Sequence, residues 1–181
     1  MVNRAVFLDR DGVLNRAVVI DGRPHPPASL DELVIEEGTA PALQELRGAG
    51  FLLIGVTNQP DVARGTQRRE TVEAINGTIV AALPLQDILT CYHDGDGCGC
   101  RKPQPGLLLQ AAEKYSIDLP ASFMVGDRWK DTEAGYRAGC RTVFIDYRYS
   151  ESEIGHPPDY RAHSLSEAAS WILNCPRGET Q

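Results

Sequence analysis

The sequence predicts a doubly wound α/β fold, in which a mainly parallel sheet carries helices on both faces. Short apolar runs alternate with longer amphipathic segments along most of the chain, and this alternation is typical of βαβ units. The apolar runs contain few polar residues, as expected for strands buried on both faces. The 181 residues, 42% of them hydrophobic, are enough for one core, so we expect a single domain over residues 1–181.

The first half of the chain contains two strand–helix pairs. We place them at residues 5–8, 40–48, 51–56 and 68–82. Gly48 and Gly50 follow the first helix, where glycine readily adopts the left-handed conformation that ends helices. About two dozen residues separate the first strand from the first helix, which is too few for a separate cap domain. We therefore expect an open pocket. We also expect the proline-rich residues 23–27 to form a loop.

The second half continues the same alternation and ends in a further helix. We place these elements at residues 87–91, 106–115, 123–125, 131–138, 142–145 and 165–173. In folds of this kind, ligands bind beyond the carboxyl ends of the strands, at the point where the strand order reverses. Polar residues that directly follow a strand are therefore the first candidates for function.

Composition and charge narrow the classes of partner. The formal net charge is −7 and the sequence pI is about 5.1, so the overall field repels polyanions and we expect no nucleic-acid partner. A local basic pocket is compatible with this balance. No apolar run approaches the roughly 20 residues needed to span a bilayer, and the N-terminal run is too short for a signal peptide. We expect a cytoplasmic monomer without a membrane partner.

Asp9 and Asp11 directly follow the first predicted strand. Side chains two positions apart leave a strand on the same face, so both carboxylates would approach one ligand. Two carboxylates this close need a cation between them, or one of them keeps a proton. One could then attack phosphorus while the other transfers protons to and from the reacting oxygens. Taken alone, the Asp-x-Asp-Gly motif also fits an ordinary surface turn.

Three more groups follow later strands. Thr57 and Asn58 offer a hydroxyl and an amide for phosphoryl oxygens, and Lys102 precedes a helix where it could balance phosphoryl charge. Asp127 and Asp131 lie one helical turn apart and could supply oxygen ligands to magnesium. Each motif alone also fits a simpler interpretation, namely a turn, a solvated basic pair or a helix cap.

Cys91, His93, Cys98 and Cys100 form a cluster of soft ligands in one glycine-rich stretch. Clustered thiols with a histidine indicate metal rather than disulfides in a reducing compartment. Three thiolates and one imidazole complete a tetrahedral zinc site with no open position, which favours a structural role. A flexible glycine-rich loop is the alternative. Zinc would also fix the positions of Arg101 and Lys102, which directly follow Cys100.

Together, the motifs that carry Asp9, Thr57, Lys102 and Asp127 resemble the haloacid dehalogenase superfamily of phosphatases over about residues 4–146. The resemblance implies that Asp9 is the nucleophile and Asp11 the general acid and base. It also implies that Thr57 and Lys102 stabilise the phosphoryl group during transfer.

The same resemblance implies a magnesium site. Its ligands would be the Asp9 carboxylate, the Asp11 backbone carbonyl and Asp127. Asp131 would either bind the ion through water or orient the site. The expected cofactors are therefore Mg²⁺ for catalysis and Zn²⁺ for structure.

The Cys-x-His and Cys-x-Cys-Arg-Lys-Pro segments, with Asp-Arg-Asp-Gly and Thr-Asn-Gln, are similar to the heptose bisphosphate phosphatase branch, which is related to histidinol-phosphate phosphatases. That branch removes the 7-phosphate of D-glycero-D-manno-heptose 1,7-bisphosphate during the synthesis of activated heptoses for surface polysaccharides such as lipopolysaccharide. The resemblance implies these substrate contacts: Asn15, Asn58, Gln59, Pro60, Arg101 and Arg128.

Two departures from this branch lie near the substrate side. The segment through 21–25 is longer than its usual form, and Pro60 replaces a small polar residue. They affect the choice of substrate more than the chemistry. Histidinol-phosphate phosphatase and nucleic-acid end phosphatase therefore remain alternatives, as does a non-catalytic, zinc-stabilised phosphate-binding module.

Overall fold

The computed structural model describes residues 2–95, 97–150 and 155–176. Its strands are β1 (Arg4–Leu8), β2 (Val18–Ile20), β3 (Arg23–His25), β4 (Phe51–Asn58), β5 (Asp87–Cys91), β6 (Phe123–Gly126), β7 (Arg141–Ile145) and β8 (Tyr160–Ala162). Its α-helices are α1 (Thr39–Gly48), α2 (Arg69–Ala82), α3 (Gly106–Tyr115), α4 (Trp129–Ala138) and α5 (Leu165–Asn174). A short 3₁₀ helix spans Leu30–Glu32. None of the helices in these ranges combines the length and apolar character needed to cross a membrane.

The described residues form a parallel six-stranded sheet in the order β5-β4-β1-β6-β7-β8. The predicted doubly wound fold is confirmed. When the hairpin β2–β3 is set aside, this is the strand order of a dinucleotide-binding sheet. The direction in which successive strands are added to the sheet reverses between β1 and β6. The carboxyl ends of these two strands are therefore the expected place for a ligand.

Helices cover both faces of the sheet. Alternate residues of β1 enter different cores: Val6 and Leu8 pack with α1, α2 and α5, whereas Ala5 and Phe7 pack with α3 and α4. Because both sets of side chains are buried, the strand is apolar at successive positions rather than at every second one. Burying a side chain such as Leu8 or Phe7 contributes about 1.5–3 kcal/mol, so the core holds the strand ends firmly in place.

The predicted elements agree with the observed ones to within about two residues, and two boundary differences concern the site. β4 continues to Asn58 because Thr57 and Asn58 pair with Thr90 and Cys91 of β5. These two residues therefore lie in a strand rather than in a turn. α4 begins two residues earlier than expected, since the Asp131 carboxylate accepts a hydrogen bond of 3.0 Å from the Arg128 backbone N–H and closes the first turn.

The region expected to be a proline-rich loop contains the antiparallel hairpin β2–β3. Asp21 and Gly22 both have positive φ angles, 51° and 74°, as in the two-residue turns that suit the twist of hairpins. Pro24 is tolerated because a two-stranded ribbon consists only of edge strands. The Ser150 N–H donates to the Gly22 carbonyl at 2.9 Å, which fixes the hairpin against the segment that follows β7.

Candidate active site and metal centres

Asp9, Lys102, Asp127 and Asp131 meet at the carboxyl ends of β1 and β6. Asp9 and Asp127 directly follow these two strands, which are neighbours in the sheet, so their side chains are close although they are far apart in sequence. Lys102 Nζ donates to Asp9 Oδ1 at 2.6 Å and lies 2.7 Å from Asp131 Oδ1. It also donates to the Val56 carbonyl at 2.7 Å. The lysine is 2% exposed, so its position is strongly restricted.

This cluster carries more negative than positive charge. Burial raises the pKa of Asp9 to about 7, and Asp131 adds to the effect while Lys102 opposes it. Burial, with the charges of Asp9 and Asp131, raises the pKa of Asp127 well above its ordinary value, and the nearby Tyr149 hydroxyl and Lys102 only partly offset this. Three buried carboxylates beside one ammonium group favour the uptake of a divalent cation.

The surroundings of Asp127 fit such an ion. Its carboxylate is 1% exposed, yet neither oxygen makes a well-formed hydrogen bond to any described residue. One oxygen each from Asp9, Asp127 and Asp131 lie within 4.8 Å of one another. Gly12 has a φ of 99°, and a Cβ at this position would overlap Asp127 Oδ2. An oxygen-only set of this kind is the preferred environment of Mg²⁺.

Asp11 is held by four hydrogen bonds. Arg10 donates from Nε at 3.1 Å and from its terminal nitrogen Nη2 at 2.9 Å, one bond to each carboxylate oxygen. Asn15 and Gln59 donate from their amide nitrogens at 3.1 Å and 2.8 Å. Gln59 also donates to Thr57 Oγ1 at 2.9 Å. Asn15 and Gln59, which we expected to contact substrate, are thus 2% and 1% exposed and contact Asp11.

Asn58 fixes the backbone of Lys102. Its amide nitrogen donates to the Lys102 carbonyl at 2.9 Å, and its Oδ1 accepts from the Lys102 N–H at 3.0 Å. The side chain therefore connects the end of β4 to the segment that carries the lysine. Asn58 also lines the cavity beside the carboxylates, so its predicted contact with substrate and this second contact are compatible.

A cavity of about 660 Å³ opens outside the carboxylate cluster. The basic side chains at its walls are Arg23, His25, Arg64, Arg101, Arg128 and Lys130. Pro60 also lines it. Asp94 pairs with Arg64 at 2.7 Å and with Arg101 at 3.1 Å. A basic pocket in a protein of net charge −7 is suited to an anionic ligand.

A second cluster contains Cys91, His93, Cys98 and Cys100. The Cys100 sulfur lies 3.0 Å from that of Cys91, 3.6 Å from that of Cys98 and 3.3 Å from His93 Nδ1. Cys91 lies 3.7 Å from Cys98 and 3.5 Å from His93 Nδ1. Tetrahedral zinc with Zn–S bonds of about 2.3 Å separates its sulfur ligands by roughly 3.8 Å. The two distances to Cys98 are close to this spacing and the distance between Cys91 and Cys100 is shorter, so the cluster could hold zinc after a small separation of those two sulfurs.

The sequence did not indicate several residues that the fold brings to these sites. The motif that contains Arg10 draws attention to its two aspartates, although a basic residue at the end of a buried strand needs a carboxylate partner. Asp94 lies among the cysteine ligands and has no sequence signal of its own. Arg23 and His25 lie in the hairpin, and the only available signal was the unusual length of that segment.

Comparisons with known proteins agree with this geometry. A family model described as HAD-hydrolase-like matches residues 99–168. The D-glycero-β-D-manno-heptose-1,7-bisphosphate 7-phosphatase of Pasteurella multocida is 38% identical over 156 residues, which cover 80% of this chain and 82% of the relative. The protein of the same name from Escherichia coli K12 is 34% identical over 183 residues, covering 94% and 88%.

A solved structure is similar over almost the whole fold. The D,D-heptose 1,7-bisphosphate phosphatase of B. bronchiseptica, complexed with magnesium and phosphate, has a TM-score of 0.76 and 28% identity, covering 94% of this chain and 98% of that one. The resemblance derived from the motifs is confirmed. The chain belongs to the D-glycero-β-D-manno-heptose-1,7-bisphosphate 7-phosphatase family of HAD-like phosphatases.

Proposed function

We propose that this chain hydrolyses the 7-phosphate of D-glycero-D-manno-heptose 1,7-bisphosphate through a phosphoryl group carried on Asp9. The observation that supports this most directly is the Lys102 ammonium, 2.6 Å from Asp9 Oδ1, beside the Asp127 carboxylate, which makes no well-formed hydrogen bond to any described residue. Phosphoryl transfer to a carboxylate needs a nucleophilic oxygen, a fixed cation and an oxygen that is available to bind a metal ion.

In the first step, an Asp9 oxygen forms a bond to phosphorus as the bond from phosphorus to the sugar oxygen breaks. Asp11 donates a proton to the departing oxygen. Lys102 and Thr57 stabilise the negative charge of the phosphoryl oxygens. In the second step, Asp11 takes a proton from water, the water oxygen bonds to phosphorus, and the bond to Asp9 breaks.

Magnesium fits the carboxylate cluster, with Asp9, Asp127 and the Asp11 carbonyl as ligands and Asp131 as a ligand through water or an orienting group. When bound, the ion supplies positive charge that offsets the charge of the phosphate and of the nucleophile. Asp131 also holds Lys102 in place, because its Oδ1 lies 2.7 Å from Nζ.

The basic cavity supports a substrate with a second anionic group. Arg101 and Arg128 line it, together with Asn58 and Pro60, and the distal phosphate of a bisphosphate would interact favourably with these guanidinium groups. Asn15 and Gln59 would affect the substrate through Asp11, since both are buried against that carboxylate.

We also propose that Zn²⁺ binds to Cys91, His93, Cys98 and Cys100 as a structural ion. Burial, together with the neighbouring Cys100, raises the pKa of the Cys91 thiol to about 12 in the metal-free protein, so binding of zinc must displace a proton. The closed ligand set leaves no position for substrate. The ion would hold the loop that leads to Arg101 and Lys102.

The remaining features of the proposal concern the whole protein. Residues 1–181 would form a single domain that works as a cytoplasmic monomer, without a nucleic-acid or membrane partner. The one six-stranded sheet that carries the core of the described residues and the net charge of −7 support an acidic single-domain enzyme that acts on small anions.

A substrate panel tests the assignment. With Mg²⁺ present, kcat/KM for the heptose 1,7-bisphosphate should exceed that for histidinol phosphate, a heptose 7-monophosphate and an oligonucleotide 5′-phosphate by at least about tenfold, which corresponds to about 1.4 kcal/mol of added transition-state binding. A preference for histidinol phosphate or for oligonucleotides would replace the proposed substrate. Absence of turnover with all four would favour a non-catalytic phosphate-binding module.

A further inference from the structure

A chain of hydrogen bonds connects β5 to Asp11 through α2. Asn76 of α2 donates from its amide nitrogen to Thr90 Oγ1 of β5 at 3.0 Å. The amide oxygen of Asn76 accepts from the Nη1 nitrogen of Arg10 at 2.9 Å. The other two guanidinium nitrogens of Arg10 donate to the two oxygens of Asp11. Neither Asn76 nor Thr90 lines the two cavities at the active site.

Arg10 depends on Asn76 because its side chain is completely buried. It is 0% exposed, whereas the Asp11 side chain is 14% exposed. A buried guanidinium group is costly unless its N–H groups find acceptors, and Asp11 satisfies only two of its three nitrogens. The Asn76 oxygen is the acceptor for the third. Without it, Arg10 would turn toward another acceptor and its paired contact with Asp11 would change.

Arg10 and Thr90 hold the Asn76 amide from its two sides. Arg10 can only donate hydrogen bonds, so the amide oxygen faces Arg10 and the amide nitrogen donates to the Thr90 hydroxyl. The opposite orientation would place amide N–H groups against a cation. Thr90 is itself fixed by its place in the sheet, where it pairs with Thr57 of β4. The end of the hydrogen-bond chain farther from Asp11 is therefore anchored by the sheet and not by the active-site loop.

We propose that Asn76 and Thr90 are positioning residues that set the orientation of Asp11 through Arg10. They govern proton transfer to the departing oxygen rather than substrate binding. This inference rests on the proposed function, in which Asp11 is the general acid and base. Planar, two-point contact with a guanidinium group fixes the plane of a carboxylate, and general-acid catalysis is sensitive to small errors in that geometry.

The test compares two leaving groups in the Asn76→Leu and Thr90→Val proteins. A sugar alkoxide needs a proton to depart, whereas 4-nitrophenolate leaves without one. With the heptose bisphosphate, or with a simple sugar phosphate, we expect kcat to fall by about 10- to 100-fold with KM unchanged. The first-turnover burst of 4-nitrophenolate from 4-nitrophenyl phosphate should keep the parent rate, because it reports attack by Asp9 alone.

Three controls are available in the chain. Thr78→Val is the same substitution on the exposed face of α2, where the hydroxyl donates to the Ala74 carbonyl of its own helix, and it should match the parent. Thr90→Ser keeps the accepting oxygen and should restore kcat. The double variant Asn76→Leu/Thr90→Val should lose no more than Asn76→Leu alone, because the two residues act in series.

Several outcomes would overturn the inference. It is wrong if the burst slows as much as sugar phosphate turnover, if KM rises at constant kcat, or if both variants match the parent. Thr90→Val is nearly isosteric and decides the question if Asn76→Leu unfolds. Failure of the proposed function itself has a different signature, since the parent would then release phosphate no faster than an Asp9→Asn protein.

Discussion

The two candidate metal centres are built in opposite ways. The carboxylate centre takes Asp9, Asp127 and Asp131 from two strand ends and a helix, all of them buried. The cysteine centre takes its four ligands from one short segment, 91–100, and His93 is exposed. The first centre has three buried carboxylates beside one ammonium group, and the second has four soft ligands, the number that a tetrahedral zinc ion takes. A site such as the carboxylate centre, built from distant segments, is suited to catalysis. A site such as the cysteine centre, built from one segment, is suited to stabilising a loop.

The two centres meet at Lys102. The cysteine segment leads directly into Arg101 and Lys102, and Asn58 holds the Lys102 backbone on the other side. With zinc bound as proposed, the cysteine centre would help to hold Lys102 in position. Changes in the carboxylate centre should alter turnover without loss of stability, whereas changes in the cysteine centre should lower stability and turnover together.

The largest effect should come from Asp9→Asn. Phosphate release should fall by at least about 10³-fold, since the amide is a poor nucleophile. The melting temperature should not fall, because one of three crowded carboxylates is neutralised while Lys102 keeps Asp131 as its partner. Phosphate release and thermal unfolding measure the two effects. Asp31→Asn, at an exposed site in the 3₁₀ helix, should behave like the parent in both, and an active Asp9→Asn protein would remove the basis for a covalent mechanism.

The next largest effect should come from Cys98→Ser. Loss of a zinc ligand should lower the free energy of unfolding by roughly 3 kcal/mol and reduce turnover with it. Protein purified without added zinc should contain about one equivalent, measured by elemental analysis. Cys175→Ser, outside the cluster, is the matched control. Less than about half an equivalent of zinc in the parent, or an unchanged melting temperature in Cys98→Ser, would contradict the structural role.

The smallest expected effect is the change with pH in the stability of the metal-free protein and in its affinity for magnesium. In the metal-free protein the pKa of Asp9 is raised to about 7, chiefly by burial, so the folded state retains a proton there that the unfolded state loses near pH 4. Stability of the metal-free protein should therefore decline as pH rises from about 4 to about 7. Magnesium must displace this proton, so its affinity should be about tenfold higher at pH 8 than at pH 6.

Calorimetric titration of the zinc-loaded protein with Mg²⁺ in two buffers of different ionisation enthalpy measures both the affinity and the proton release. Asp9→Asn should weaken the pH dependence, because the amide does not titrate, and Asp127, whose pKa is also raised by burial, should account for the remainder. Equal affinities at the two pH values in the parent would indicate that the carboxylates are already ionised before the metal binds.

Much of the fold and of the site could be predicted because the relevant signals are local. Five of the six strands of the main sheet are apolar runs, and the four candidate zinc ligands lie within one segment. Asp9, Lys102 and Asp127 could be identified as candidates because each directly follows a strand or precedes a helix. β8 was overlooked because it is short and mostly polar, and the hairpin because its prolines favoured an irregular loop.

The sequence by itself determined the order of the helices and of the five apolar strands, the acidic charge and the chemical types at the site, since period, composition and spacing act over a few residues. Only the tertiary structure decided which side chains meet. Asn58 binds the backbone of Lys102, Gln59 is turned toward Asp11, and Arg10 is paired with Asn76. Each of these contacts joins residues from different elements, and its existence depends on strand neighbours and helix packing that no short stretch of sequence encodes.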